Sequence, residues 1–305
     1  MSPHAGKTVL LLCTTTGYQA RAFVAAAQQL GTTVVFGTDR CHVLEDPWRD
    51  GALALRFEEA DASAAKVVEY AGSHPLDAVV AIGDQPTPTA ARVAQALRLP
   101  GHPPPAADIC RDKYRSRECL RRAGLKVPAF QRYARNSEPQ QLLPAISFPC
   151  VLKPLTLSGS RGVIRANDGG EFAAAFGRIR KLLASPDVGV LRDPAAVFIQ
   201  AEEYIEGAEF ALEGLVQGGR LRVLALFDKP DPLVGPFFEE TIYVTPSRLA
   251  AARQQEIANA VQRAVKALDL RHGPVHAEVR LNSTGVWILE VAARPIGGLC
   301  ARSLR

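Results

Sequence analysis

The 305-residue sequence has no apolar run approaching the roughly 18–20 residues of a membrane-spanning helix. Its first hydrophobic stretch, Val9 to Cys13, is too short for the core of a signal peptide, and no cleavage pattern follows it. A cytoplasmic protein is therefore expected. Its six cysteines, Cys13, Cys41, Cys110, Cys119, Cys150 and Cys300, form no C-x-x-C pair, which argues against a zinc site or disulfide framework and suits a reducing compartment. A strong charge bias is also missing: 36 basic residues against 31 acidic give a net +5. A nucleic-acid binder concentrates its positive charge on one face. Here only Arg111 to Arg122 is locally basic, and it reads as one helix with a solvated face. Neither a nucleic acid nor a membrane is expected as a partner. No internal repeat or low-complexity tract is present. With 47% hydrophobic and 22% charged residues the chain matches globular usage, which excludes disorder. Its length suits two domains.

The familiar nucleotide signatures are missing too. Gly6-Lys7-Thr8 precedes the first strand, and the glycine a phosphate loop needs five residues earlier is Met1. The loop Thr14 to Tyr18 holds a lone Gly17 where a dinucleotide fold carries G-x-G-x-x-G, despite Asp39 at the end of the second strand. His276-Ala277-Glu278 imitates a deaminase H-x-E without any P-C-x-x-C partner.

What is present begins as alternating strands and helices. Thr8 to Cys13, Thr33 to Phe36 and Asp77 to Ile82 read as strands, the last closed by Gly83-Asp84. Ala20 to Leu30, ended by Gly31, and Ala90 to Leu97 read as helices. This alternation predicts a parallel sheet with right-handed crossovers. Pro100, Pro103, Pro104 and Pro105 form a connector. Asp108 is then the expected cap of a helix running to Ala123. Cys150 to Leu155 is a strand, and Asp168-x-x-Glu171 opens a helix through Leu183. Strands follow at Val197 to Gln200, Glu209 to Val216 and Leu221 to Phe227, then a helix from Leu249 to Leu268. The chain closes with a hairpin of Val275 to Leu281 and Val286 to Val291. Two domains meeting near residue 112 are expected.

Three segments carry chemistry. A three-residue loop, Ser283-Thr284-Gly285, would place Asn282 opposite Val286 and so Glu278 opposite Glu290; a two-residue loop would send them to opposite faces. Opposed carboxylates are reconciled by a cation, and oxygen ligands favour Mg²⁺. The same face continues to Ala292 and, if the strand persists, to Arg294. Lys153-Pro154 closes a strand and enters Ser158-Gly159-Ser160-Arg161-Gly162, a loop suited to phosphate oxygens. Glu202-Glu203-Tyr204-Ile205-Glu206-Gly207-Ala208-Glu209-Phe210 places acids at a strand junction, where ribose hydroxyls and an adenine edge can be met.

These pieces, in this order and joined by Asp112-Lys113 and E-V-A-A-R-P-I-G-G from Glu290 to Gly298, resemble the ATP-grasp superfamily. The H-A-E and E-x-A-A-R wording is most similar to its carboxylate–amine ligase branch, which includes L-amino-acid ligases. The resemblance implies a Rossmann-like parallel domain over 1–112. An α+β ATP-grasp domain over 113–305 would follow, with a small lid lobe at about 118–198 and a larger antiparallel lobe at 199–305. It implies that Lys113 and Lys153 hold ATP phosphates and that Ser158, Gly159, Ser160, Arg161 and Gly162 cover them. Glu202, Glu203 and Ile205 would form the adenine hinge, largely through backbone groups, and Glu209 would meet the ribose. Glu278 and Glu290 would bind Mg²⁺, with Mn²⁺ as the substitute, and Arg294 would stabilise the transferred phosphate.

Many relatives carry Asn where this chain has Ala292, so a second metal ion would be held less firmly. His276, opposite Ala292, is the candidate to contribute there. Around the substrates, Glu240 is expected to meet an ammonium group, although the histidine usual shortly after it is Tyr243 here. Lys229 would bind a carboxylate or, more plainly, lie on the surface. The implied activity is amide formation between small-molecule carboxylate and amine substrates through an acyl-phosphate. The same fold with a thiol acceptor or carboxylation chemistry, or a non-catalytic nucleotide-binding protein, are the alternatives. A homodimer is left open. Related ligases continue well beyond Gly298, so a truncated or minimal form is expected, with Arg305 seven residues past it.

Overall fold

The computed structural model describes residues 4–15, 17, 19–39, 52–298 and 300. Cys41, Tyr18 and the chain end at Arg305 lie outside them. Among the described residues are three four-stranded sheets.

The first is parallel. It is built from β1 (Thr8–Cys13), α1 (Ala20–Leu30), β2 (Thr33–Thr38), β3 (Leu53–Ala54), α2 (Ala60–Ala71), β4 (Ala78–Ile82) and α3 (Thr87–Ala96), with strand order β3-β2-β1-β4. Central β1 is apolar from Val9 to Cys13 because both of its faces are covered. Leu10 and Leu12 pack with Leu55, Phe57, Val67 and Val93, while Leu11 and Cys13 pack with Ile82 and, on α1, Phe23. Each such leucine contributes about 1.5–3 kcal/mol of burial.

The expected connector is shorter than four prolines, since Pro104 and Pro105 open a helix, and the chain then forms two helices, not the single one expected. These are α4 (Pro104–Arg111) and α5 (Lys113–Arg122). Asp108 is not the cap; it holds Arg92 through two bonds of 3.0 and 3.1 Å. Asp112 breaks the helix at extended backbone angles, and its side chain accepts from the N–H groups of Tyr114 and Arg115. The basic stretch is also not wholly solvated, since Arg117 is only 1% exposed.

The second sheet is antiparallel. Its segment comprises β5 (Phe130–Ala134), α6 (Pro139–Leu142), β6 (Cys150–Pro154), β7 (Ile164–Ala166), α7 (Gly169–Leu183), α8 (Pro186–Gly189) and β8 (Phe198–Glu203), in order β5-β8-β6-β7. Asp168 caps α7 by accepting from Glu171 N–H at 2.9 Å, and the Glu171 side chain reaches back to Asn167 N–H at 2.8 Å. Phe172, Phe176, Ile179 and Leu183 form the helical stripe that seals Leu152, Ile164 and Ile199.

The third sheet, also antiparallel, contains β9 (Ala208–Gln217), β10 (Arg220–Lys229), β11 (His272–Asn282) and β12 (Gly285–Ala292), with α9 (Ala251–Ala267) between β10 and β11. Its order is β10-β9-β11-β12. One face is apolar: Phe210, Leu212, Val275, Ala277 and Val279 meet Ile257, Val261 and Val265 of α9, together with Ala106, Cys110 and Leu120 of α4 and α5. Strand alternation therefore sends Glu209, Glu213, His276, Glu278 and Arg280 to the opposite face. No helix among the described residues is long and apolar enough to cross a membrane.

Candidate active site

The polar face of the third sheet floors a cavity of about 820 Å³, walled by Thr14, Gln19 and Asp84 of the first sheet's domain and by Lys153 and Ser158 to Ser160 of the second sheet's segment. The final hairpin supplies its acids by a route the sequence reading did not foresee. Its turn is two residues, with Asn282 paired to Gly285 instead of Val286. Left alone, that register would put Glu278 and Glu290 on opposite faces. A β-bulge at Leu289 intervenes: Val279 pairs with Ile288, and Glu278 then pairs with Glu290. The expected carboxylate pair stands, for a different reason. His276 also lies opposite Ala292, as expected. The Leu289 carbonyl at the bulge accepts a hydrogen bond from Arg117.

Each acid has a cationic neighbour. Glu290 lies 3.5 Å from Lys113, whose ammonium also donates to the Leu157 carbonyl at 2.7 Å. Glu278 lies 3.1 Å from Lys229 and 3.5 Å from His276 Nε2. Burial alone would raise the Glu278 pKa, but Lys229 and then His276 hold it well below the usual carboxylate range. Burial alone would lower His276, yet its bonds with Glu213, at 2.5 Å, and Glu278 keep it up at about 9.

Lys229 is not a surface lysine. It is buried within a cage of carboxylates, 2.9 Å from Glu209 and bonded to Glu240 and Glu278. These attractions outweigh burial and raise its pKa. The Glu240 carboxyl is raised as well: burial, then repulsion from Glu278, outweighs Lys229, and Tyr243 donates to it at 2.5 Å. Carboxylate oxygens of Glu209, Glu240 and Glu278 lie within 4.8 Å of one another. Glu278 and Glu290 offer the hard oxygen donors that suit Mg²⁺, while Ala292 offers none. His276 is held between two acids, Nδ1 against Glu213 and Nε2 against Glu278.

Lys153 bonds Glu202, which also accepts from Arg117 at 3.2 Å and from Gln200 at 2.9 Å. Burial lowers the Lys153 pKa despite Glu202. Burial would raise Glu202, but Arg117 and Lys153 together lower it. The Glu202 side chain is thus engaged inside the protein. Beside it, Glu203, Tyr204 and Ile205 line the cavity, and the Ile205 carbonyl accepts from Arg280 at 2.6 Å. Arg280 also donates to Glu209 at 3.0 Å, so both oxygens of Glu209 have cationic partners.

In the loop after β6, Gly159, Ser160 and Gly162 take φ of +63°, +53° and +77°, the left-handed region that turns successive N–H groups to one side. Ser158, Gly159 and Ser160 face the main cavity. Arg161 and Gly162 instead line an adjoining recess, and Arg161 is paired with Asp187 of α8.

Several site residues carried no motif. Asp84 receives the Arg294 Nε–H at 2.8 Å. Glu213 takes the Ile296 N–H at 3.0 Å, and Gln19 donates to the carbonyls of Ile296 and Gly298 at 2.8 and 3.2 Å. Arg117, Arg280 and Glu213 were discoverable only as charges at core-spaced positions.

Comparison with known proteins agrees with this architecture. Residues 146–303, just over half of the chain, match the ATP-grasp domain, and residues 24–101 match the ATP-grasp N-terminal domain. The chain belongs to the ATP-grasp family. It is 29% identical over 245 residues to alanine–anticapsin ligase of Bacillus subtilis, covering 76% of this chain and 51% of that protein. It is 29% identical over 258 residues to carnosine synthase 1 of Gallus gallus, covering 81% and 27%. The solved L-amino acid ligase from Bacillus licheniformis superposes with a TM-score of 0.76 at 29% identity, over 96% of this chain and 68% of that one. The chain spans about half the length of the alanine–anticapsin ligases it matches.

Proposed function

We propose that this protein is an ATP- and Mg²⁺-dependent carboxylate–amine ligase, with an amino acid among its substrates. The observation that carries the reading is the Glu278–Glu290 cross-strand pair, which shares one cavity with Lys113 and Arg294 and is backed by Lys229 paired to Glu278. The ligase names of its relatives support it. The carboxylate of the acid attacks the γ-phosphorus of ATP, giving an acyl-phosphate and ADP. The amine then attacks the acyl carbon, phosphate leaves with the C–O electron pair, and the amine gives up a proton.

Phosphoryl transfer needs positioning and neutralised charge more than covalent help. Lys113 and Lys153 would hold phosphate oxygens, and the N–H groups of Ser158 to Ser160 would cover them. The hinge at Glu203 to Ile205 would take the adenine edge, with Glu209 toward the ribose. Glu278 and Glu290 would hold Mg²⁺, which when bound neutralises phosphate charge. Arg294 would face the transferred phosphate, where a fixed charge in a water-poor site acts most strongly. Lys229 holds Glu278 ionised and pairs with Glu209 and Glu240, and Glu240 would meet a substrate ammonium.

The test is ADP release across paired acids and amines, with products read by mass spectrometry. Release that requires both partners, with an amide of the summed mass less water, is expected. MgATP binding without turnover for any pair would favour a nucleotide-binding role, and a thioester or carboxylated product would move the acceptor.

A further inference from the structure

We propose that Asp84, contributed by the N-terminal domain, is a positioning residue of the transfer site: its 2.8 Å bond to Nε sets the plane of the Arg294 guanidinium. The proposal rests on the ligase reading and adds to it that transfer requires the two domains to be docked.

Arg294 needs an external anchor. It lies two residues beyond the end of β12, so no strand ladder fixes it. Two of its donors are committed, Nε–H to Asp84 and Nη1–H to the Pro295 carbonyl at 3.1 Å. A guanidinium is rigid and planar, so two bonds made from adjacent nitrogens orient its remaining N–H groups. Those groups belong to a side chain lining the cavity that also holds Glu278 and Glu290.

Asp84 is itself well placed to act as the anchor. It stands at the carboxyl end of β4, where parallel sheets form their binding crevices. Gly83 precedes it at φ +87°, and the turn is tied by Thr87, whose hydroxyl donates to the Gly83 carbonyl at 2.8 Å. Burial alone would raise the Asp84 pKa, but the neighbouring Arg294 charge lowers it, so the anchor is ionised. The segment following Arg294 is gripped from the same domain by Gln19 and from the third sheet by Glu213. A simple strut between domains would make the same contact, so the experiment must separate strut from positioning.

Binding of MgATP is compared with binding of MgADP plus aluminium fluoride, which mimics the phosphoryl group in transit. The full chain is used as wild type, Asp84→Ala, Asp84→Asn, Arg294→Ala and the Asp84→Ala/Arg294→Ala pair. Asp84→Ala is expected to leave MgATP affinity within about twofold and to weaken the mimic roughly 10–100-fold, as for a slightly misplaced catalytic group. Asp84→Asn keeps an acceptor oxygen and is expected to fall between. In the Arg294→Ala background, loss of Asp84 is expected to have no further effect on the ratio. Equal weakening of both ligands, or a ratio unchanged in both Asp84 variants, would overturn the proposal. Wild type that binds neither ligand would overturn the ligase reading itself, and the proposal with it.

Discussion

Replacing Arg117 with methionine removes one donor set from three elements at once. The guanidinium joins α5 to Glu202 at the end of β8 and to the Leu289 carbonyl on β12. At 1% exposure, water cannot take its place without rearrangement. Removing one partner of a buried ion pair typically costs about 3–5 kcal/mol. Glu202 keeps Lys153 and Gln200, which favours the lower end. An orphaned carbonyl adds about 1–3 kcal/mol. Methionine fills most of the stem volume, so the cavity contribution is small. The expected loss is about 4 kcal/mol, a large share of the roughly 5–15 kcal/mol by which domains are stable. Urea unfolding followed by circular dichroism measures it, and hydrogen exchange on the β11–β12 hairpin locates it. Arg117→Lys keeps the charge but loses the fork, and about half the loss is expected. A methionine variant within about 1 kcal/mol of wild type would refute the claim that this network holds the bulge to the end of β8.

Glu290→Gln is expected to abolish ADP release while leaving the fold intact by circular dichroism; near-normal turnover across Mg²⁺ concentrations would remove its metal role. Lys229→Met leaves Glu209, Glu240 and Glu278 without their shared cation. Its melting temperature is expected to fall and to recover partly with millimolar Mg²⁺, more than wild type responds; a response equal to wild type would argue against the cage. His102 is held neutral, with Nδ1 accepting from Arg271 N–H and Nε2 facing the Pro274 carbonyl, and burial lowers its pKa from 6.5 to about 4. Because the unfolded chain binds the proton more readily, stability is full above about pH 6.5 and falls by roughly 3 kcal/mol as pH drops towards 4. His102→Asn should flatten that part of the urea-midpoint profile, and an unchanged slope would assign it to carboxylates.

The parts of this molecule legible from sequence were those encoded locally. Helix α1 ends at Gly31 because glycine adopts φ +70° there at little cost, and α7 begins at a capping pattern that any reader of sequences finds. The Ser158 to Gly162 loop, the Glu202 to Phe210 segment and the two acids are visible as short runs in order. What stayed hidden depends on partners distant in sequence. Nothing around Lys229 announces that three acids from β9, β11 and the intervening loop surround it. Arg117 sits near the exposed Arg115, Arg121 and Arg122 and, unlike them, faces inward. The Asp84–Arg294 bond spans two domains. The hairpin lay between these extremes. Its turn is one residue shorter than the sequence suggests, although the core-facing residues Val286 and Ile288, followed by Val291 and Ala293, shift from even to odd positions and mark the bulge.

That shift has a consequence for how this hairpin tolerates change in length. The bulge absorbs Leu289, the one residue by which β12 exceeds its partner, so the pairs on either side of it, Val279 with Ile288 and Glu278 with Glu290, stay in step. Deleting Leu289 alone would join these pairs into a regular ladder, keep the two acids facing each other and leave Arg117 without the Leu289 carbonyl. A residue added to the turn would enlarge it outside the paired positions. Loss of the bulge is therefore expected to keep the acid pair and to come with a change at residue 117.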